Sequence, residues 1–243
     1  MMNRSDLPLH IIEQDYVQSI YLQEIYKETE KLVFKGGTYL KHTHGLDRYS
    51  EDLVFTINNQ MNIEDLFQKI AERSMTYGLE TTLDKVREDE LSFNGRLKYR
   101  GPLFDGSDRS SGSILIEVSK RSDLELEPKW VRSFFDYPEV SVVNVLGMNI
   151  EEVLSEKLRA LSMRSKGRDL YDIWYLLKRN INPRFDLFEK KMLSVGLVPD
   201  LKINIDKEDW DRDLRTLLRN PPEYQEVMEF VSNRLSKNFG FHP

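Results

Sequence analysis

A chain of 243 residues with 35 Lys or Arg against 41 Asp or Glu carries a net charge of −6, which argues against a nucleic-acid binder driven by bulk charge. It contains no cysteine, so disulfides, thiol catalysis and cysteine zinc sites are excluded, as suits a reducing cytoplasm. No apolar segment of a signal peptide follows Met1, and the longest nearly uncharged apolar run, residues 140–150, is far too short for a membrane span. The expectation is a soluble cytoplasmic protein with no membrane partner.

In chain order, Ile12, Tyr16, Ile20, Ile25 and Tyr26 recur at helical spacing, predicting an amphipathic helix from Leu9 to Glu30. Leu32-Val33-Phe34 reads as a short buried strand. Gly36-Gly37 then turns the backbone, and Thr38 to Lys41 open a helix whose free N–H groups face an anion. Asp52 is expected on the next strand. Residues 62–77 read as a helix capped by Asn62, with Ile63, Leu66, Phe67, Ile70 and Ala71 on its apolar stripe. Strands are predicted over 79–85, 90–99 and 113–119, then over 140–145. Beyond Gly147 the composition turns helical, with helices over 150–163 and from Arg168 to Lys178 flanking a Ser165-Lys166-Gly167 break. The predicted class is α+β, with an α/β lobe over 1–147 and a helical lobe over 148–243.

Charge is unevenly placed. Residues 156–191 hold ten Lys or Arg against five Asp or Glu, whereas residues 1–30 hold two basic and six acidic groups. One face attracting phosphate, or simply a pair of solvated amphipathic helices, would produce that bias. The four histidines are scattered, and His42 and His44, two apart on a helix, point away from each other, which argues against a zinc pair. Tyr171, Trp174 and Tyr175 lie beside basic residues and suit base stacking or, at helical spacing, the core; the core is the favoured reading.

Phosphoryl or nucleotidyl transfer needs carboxylates for a metal, backbone donors for a triphosphate and cations that neutralise developing charge. Each has a candidate. Asp52 is the first carboxylate. Glu117 is isolated in the apolar run Ile114-Leu115-Ile116-Glu117-Val118, where burial is costly unless it is paired or coordinated; an edge strand facing water is the other explanation. Asp169 and Asp172, three apart, share a helix face, and Arg168 is placed to pair with Glu156 or to reach a phosphate. Strand alternation would put a carboxylate at position 54 on the same face as Asp52, and two such carboxylates could hold the paired Mg²⁺ of nucleotidyl transfer. Position 54 is Val.

Four blocks together resemble the AbiEii/AbiGii-type toxin family of the polymerase-β-like nucleotidyltransferase superfamily. They are Lys35-Gly36-Gly37-Thr38, Arg48-Tyr49-Ser50-Glu51-Asp52, Glu156-Lys157-Leu158-Arg159-Ala160 and Arg168-Asp169-Leu170-Tyr171-Asp172. The resemblance covers roughly residues 9–177. It implies a minimal polymerase-β-like lobe with a mixed sheet joined to a helical C-terminal lobe. The implied activity is transfer of NMP from NTP to an RNA acceptor such as a tRNA 3′ end, with Mg²⁺ or Mn²⁺, by a toxin opposed by a cognate antitoxin. Carried over by position, Asp52 and Glu117 are the metal ligands, and these two with Lys157, Asp169 and Asp172 are the catalytic set. Gly36, Gly37, Thr38, Ser50, Lys157 and Arg168 are the nucleotide-binding set.

Val54 departs from the family's Asp-x-Asp strand. Two readings follow: an RNA nucleotidyltransferase short of one carboxylate, or a degenerate relative that binds nucleotide or RNA without transferring anything. Retention of Asp52, Glu117, Lys157, Asp169 and Asp172 favours the first.

Overall fold

The computed structural model describes residues 8–121, 123–135, 137–140 and 142–239. Its elements are α1 (Leu9–Glu28), β1 (Leu32–Lys35), α2 (Gly36–His44), β2 (Leu53–Ile57), α3 (Ile63–Ser74), β3 (Glu80–Glu88), β4 (Ser92–Arg100), β5 (Gly112–Ser119), β6 (Lys129–Arg132), β7 (Asn144–Gly147), α4 (Ile150–Arg164), α5 (Gly167–Lys178), α6 (Phe185–Leu193), α7 (Lys207–Leu214) and α8 (Tyr224–Phe239). Two compact units emerge, one of residues 1–122 and 128–147, the other of residues 123–127 and 148–243. Residues 123–127 fall inside the span expected for the first lobe, yet they cluster with the helices.

The first unit is a seven-stranded mixed sheet ordered β3-β4-β5-β2-β1-β7-β6. β1 runs parallel to β7 and β2 parallel to β5, while the other neighbouring pairs are antiparallel. Strand alternation gives this sheet two chemically distinct faces. Phe34 of β1 opposes Phe55 of β2, which opposes Val118 of β5, which opposes Phe93 of β4. That row is buried, with Phe34 and Phe55 stacked at 5.1 Å between centroids and Phe67 of α3 at 6.0 Å from Phe93. α3 packs on β3 and on α1, so these helices close the aromatic face. One residue along each strand, the row reads Lys35, Val54, Glu117, Asn94 and Arg87, on the opposite face.

Several predicted boundaries shift. The run 140–145 is not the strand it was expected to be: pairing begins only at Asn144, where Trp130, Val131 and Arg132 of β6 supply partners. β-branched residues favour a pleat but do not make one without a neighbouring ladder, and residue 141 lies outside the described residues. β6 itself was not predicted, being four residues long and largely exposed. The helix expected over 62–77 is α3 followed by a single 3₁₀ turn, Met75–Tyr77, and its Asn62 side chain does accept from the Asp65 N–H at 3.0 Å.

In the second unit α4 packs on α5 and α6, and α5 on α7 and α8. Asn149 caps α4, accepting from the Glu151 N–H at 3.1 Å, and Asp206 caps α7. Gly167 permits the close approach of α5 to α7: a Cβ there would lie 3.1 Å from the Trp210 Cα, and its N–H donates to Asp213 Oδ2 at 2.8 Å. Tyr171 and Tyr175 are buried and belong to the core, with Tyr171 packed against Trp210. Among the described residues, no helix is long and apolar enough to cross a membrane.

Candidate active site

β1 ends at Lys35, and the chain turns directly into α2 through Gly36, whose φ of +80° is one that L side chains rarely adopt. A Cβ on Gly36 would also lie 3.3 Å from the Cβ of Val54, so the turn leaves little room for a side chain there. Gly45, at φ 70°, ends α2 in the left-handed conformation, and the loop 46–52 returns alongside the helix's first turn. There the Thr38 hydroxyl donates to the Asp52 carbonyl at 2.5 Å and to Ser50 Oγ at 2.9 Å. Gln18 of α1 holds the outer side, its Nε2 donating to the carbonyls of Ser50 at 3.0 Å and Glu51 at 2.8 Å. Tyr49 reaches Gln14 Oε1 at 3.0 Å. Thr38 and Ser50, expected among the nucleotide contacts, are thus engaged in shaping the loop that delivers Asp52.

Asp52 is the residue immediately before β2, and alternation puts it on the Val54 face. Glu117 stands opposite Val54 in the parallel β2–β5 pair, so the two carboxylates occupy one face on diagonal positions. β5 lies between β4 and β2, so the edge-strand explanation for Glu117 does not hold, although the residue keeps partial access to water. Half-buried, the Glu117 side chain forms no hydrogen bond or ion pair among the described residues. Opposite Val54 on its other side is Lys35, which is buried. The row therefore runs from a cation through valine to an anion. No group of three or more His, Cys, Asp or Glu side chains that could hold a metal is found among the described residues. Two carboxylates on one face fit a single divalent ion that arrives chelated by a triphosphate, and they do not fit a self-sufficient pair of ions.

The second unit gathers the other candidates. Lys157 Nζ lies 2.6 Å from Asp172 Oδ2 and 3.1 Å from Asp169 Oδ1, and both aspartates are fully buried. Arg164 completes the cluster, its Nε and Nη2 donating to the two carboxylate oxygens of Asp169 at 2.8 and 3.1 Å. Ser165, at φ 46°, breaks the chain between α4 and α5 and swings Arg164 onto Asp169. That geometry hid Arg164 from the sequence reading, since five residues is no helical spacing. The expected Arg168–Glu156 pair does not form. Glu156 faces Lys191 at 3.6 Å and Arg159 at 3.8 Å, while Arg168 has no ion pair among the described residues.

Burial alone would raise the Asp169 carboxyl, but Lys157 and Arg164 outweigh it and hold the group well below the usual carboxylate range. Asp15, buried in the first unit against Lys41, His42 and Tyr137, is lowered in the same way, with burial again opposing. A carboxyl whose folded pKa is depressed contributes stability above its unfolded pKa, about 4, and loses it as pH falls toward the folded value. The melting midpoint should therefore decline steadily below about pH 4. A midpoint flat between pH 5 and 3 in thermal scans would contradict the paired-carboxylate assignment.

Two groups of candidates thus stand in different units: Asp52, Glu117, Gly36, Gly37, Thr38 and Ser50 in the first, Lys157, Arg168, Asp169 and Asp172 in the second. A family profile described as "Nucleotidyl transferase AbiEii toxin, Type IV TA system" matches residues 21–233. No curated protein matches the chain. Among solved structures, the MenT4 nucleotidyltransferase toxin of Mycobacterium tuberculosis superposes with a TM-score of 0.69 at 19% identity, covering 94% of this chain and 84% of that one. JHP933 from Helicobacter pylori superposes with a TM-score of 0.67 at 18% identity, covering 97% of this chain and 94% of that one. At such identities the likeness is one of fold.

Proposed function

The chain belongs to the AbiEii nucleotidyltransferase toxin family, and on that footing we propose that it transfers a nucleoside monophosphate from an NTP to an RNA acceptor, with a tRNA 3′ end as the first candidate. A terminal hydroxyl of the acceptor attacks the α-phosphorus, the bond to the β,γ-phosphates breaks, and pyrophosphate leaves while the hydroxyl proton passes to solvent water. A divalent ion, Mg²⁺ or Mn²⁺, would supply Lewis-acid stabilisation of the charge developing on the phosphate oxygens. Asp52 and Glu117 would hold it, and the Gly36-Gly37 turn would orient the triphosphate. Lys157, Asp169 and Asp172 carry the family's helical motif, and Arg168 is a cation left over for phosphate. An antitoxin is the expected partner, and the cytoplasm the expected compartment.

The observation that carries this reading is the shared face of Asp52 and Glu117 beside the Gly36-Gly37 turn. One feature favours the degenerate alternative: Val54 fills the middle of that row, where the family pattern has its second carboxylate. Incubation with Mg²⁺, total tRNA and each α-labelled NTP in turn should give labelled RNA with one NTP, and Asp52→Ala should abolish the label while leaving the melting midpoint within a few degrees. Label that survives Asp52→Ala would put the chemistry elsewhere. Nucleotide binding without label in any RNA would favour the binding module.

A further inference from the structure

Arg48 is 3% exposed, yet it lies in a loop. Its Nη1 donates to the Tyr49 carbonyl at 2.8 Å, and its other end reaches across to the first turn of α2. A Cβ added to Gly37 would collide with Arg48 Nη2, lie 3.1 Å from its Cζ and sit 2.8 Å from Ser50 Oγ. Gly37 thus has no side chain because a guanidinium already fills that volume. The constraint differs from the one at Gly36, where a positive φ demands glycine whatever the space; the φ of Gly37 is not positive. Ser50, the other neighbour of the missing Cβ, accepts from Thr38, which also donates to the Asp52 carbonyl. Arg48 is therefore packed into the same few contacts that fix the turn and the approach of Asp52.

We propose that Arg48 is the positioning residue of the nucleotide turn, a planar wedge that sets the relation of the Gly36-Gly37 turn to Ser50 and Asp52 for an incoming nucleoside triphosphate. This rests on the nucleotidyltransferase reading above. A guanidinium suits the role because it is flat, permanently charged and rigid across its fork, whereas a lysine would bring a point charge on a flexible stem. Arg48 and Gly37 then act as one unit, since a side chain at 37 displaces the wedge and truncation of Arg48 removes it.

The test is a double-mutant cycle on Gly37→Ala and Arg48→Ala, with Arg48→Lys as the conservative variant. The affinity for Mg·ATP and the other three Mg·NTPs is measured at a fixed interval below each variant's own melting midpoint, so that loss of folding does not enter. Each single change should weaken binding about tenfold, equivalent to about 1.4 kcal/mol. The double variant should be no weaker than either single one, and Arg48→Lys should not restore the affinity. Multiplied losses near a hundredfold, or full rescue by lysine, would overturn the wedge while leaving the nucleotide reading intact. If the wild-type protein binds none of the four while the pair still couples in melting midpoint, the nucleotide reading falls and the positioning role falls with it.

Discussion

Val54→Asp should raise Mg²⁺-dependent transfer by at least about tenfold, since a carboxylate added beside the two proposed as ligands would contribute at least about 1.4 kcal/mol of stabilisation to developing phosphate charge. Geometry makes the substitution tolerable. Position 54 is half-buried, is nearly the volume of aspartate, and stands opposite buried Lys35 on one side and Glu117 on the other. The new carboxylate would thus have a cation beside it in the absence of metal, which limits the cost of placing two acids on adjacent strands. Its β-carbon would occupy the same place beside Gly36 as that of Val54. Rates measured across a Mg²⁺ titration should show the gain together with a lower metal requirement. A folded Val54→Asp protein with no gain over wild type would count against a site that lacks only one carboxylate.

The second large effect is on stability. Lys191→Met should destabilise the helical unit by about 3–5 kcal/mol, because it strands a buried anion. Lys191 is 1% exposed, and its Nζ lies 2.6 Å from an oxygen of Glu152, which is fully buried, and 3.6 Å from Glu156. It also donates to the Asp123 carbonyl. Glu152 accepts the N–H groups of Glu125 and Leu126, each at 2.9 Å. One lysine and one glutamate thereby fasten residues 123–127 to α4 and α6, and the chain between β5 and β6 is tied into the helical unit. Urea denaturation followed by the fluorescence of Trp174 and Trp210 reports on that unit, and Trp130 on the other. Adding Glu152→Gln should recover part of the loss, since the stranded charge is then gone. A loss below about 1 kcal/mol for Lys191→Met would mean the network contributes little.

Neither Glu152 nor Lys191 was singled out by the sequence. Glu152 looks like an ordinary acid in the first turn of a helix, and Lys191 like a solvated residue on a basic one. Only the return of residues 123–127 onto α4 makes them partners, and no local pattern encodes a contact across so many residues. By contrast, the Gly36-Gly37 turn, the Asn62 cap and the Ser165-Lys166-Gly167 break were legible, because each depends on backbone chemistry within a few positions. Glu117 stood out as an acid in an apolar strand. Its register opposite Val54, which puts it on one face with Asp52, came from the parallel β2–β5 pairing. Arg48 and Arg164 were written in the motif blocks or beside them. Their roles depend on a loop returning over α2 and on a left-handed residue at 165, neither of which residue spacing reports.

Counting the divalent ions bound with nucleotide tests the central claim, that Asp52 and Glu117 together receive one metal-chelated triphosphate. Mn²⁺ would be titrated into the protein by electron paramagnetic resonance in the presence of a non-hydrolysable NTP. One bound ion per chain for wild type, two for Val54→Asp and none for the Asp52→Asn, Glu117→Gln variant is the expected result. Nucleotide-dependent Mn²⁺ binding that survives loss of both carboxylates, or no such binding in the folded wild-type protein, would contradict it.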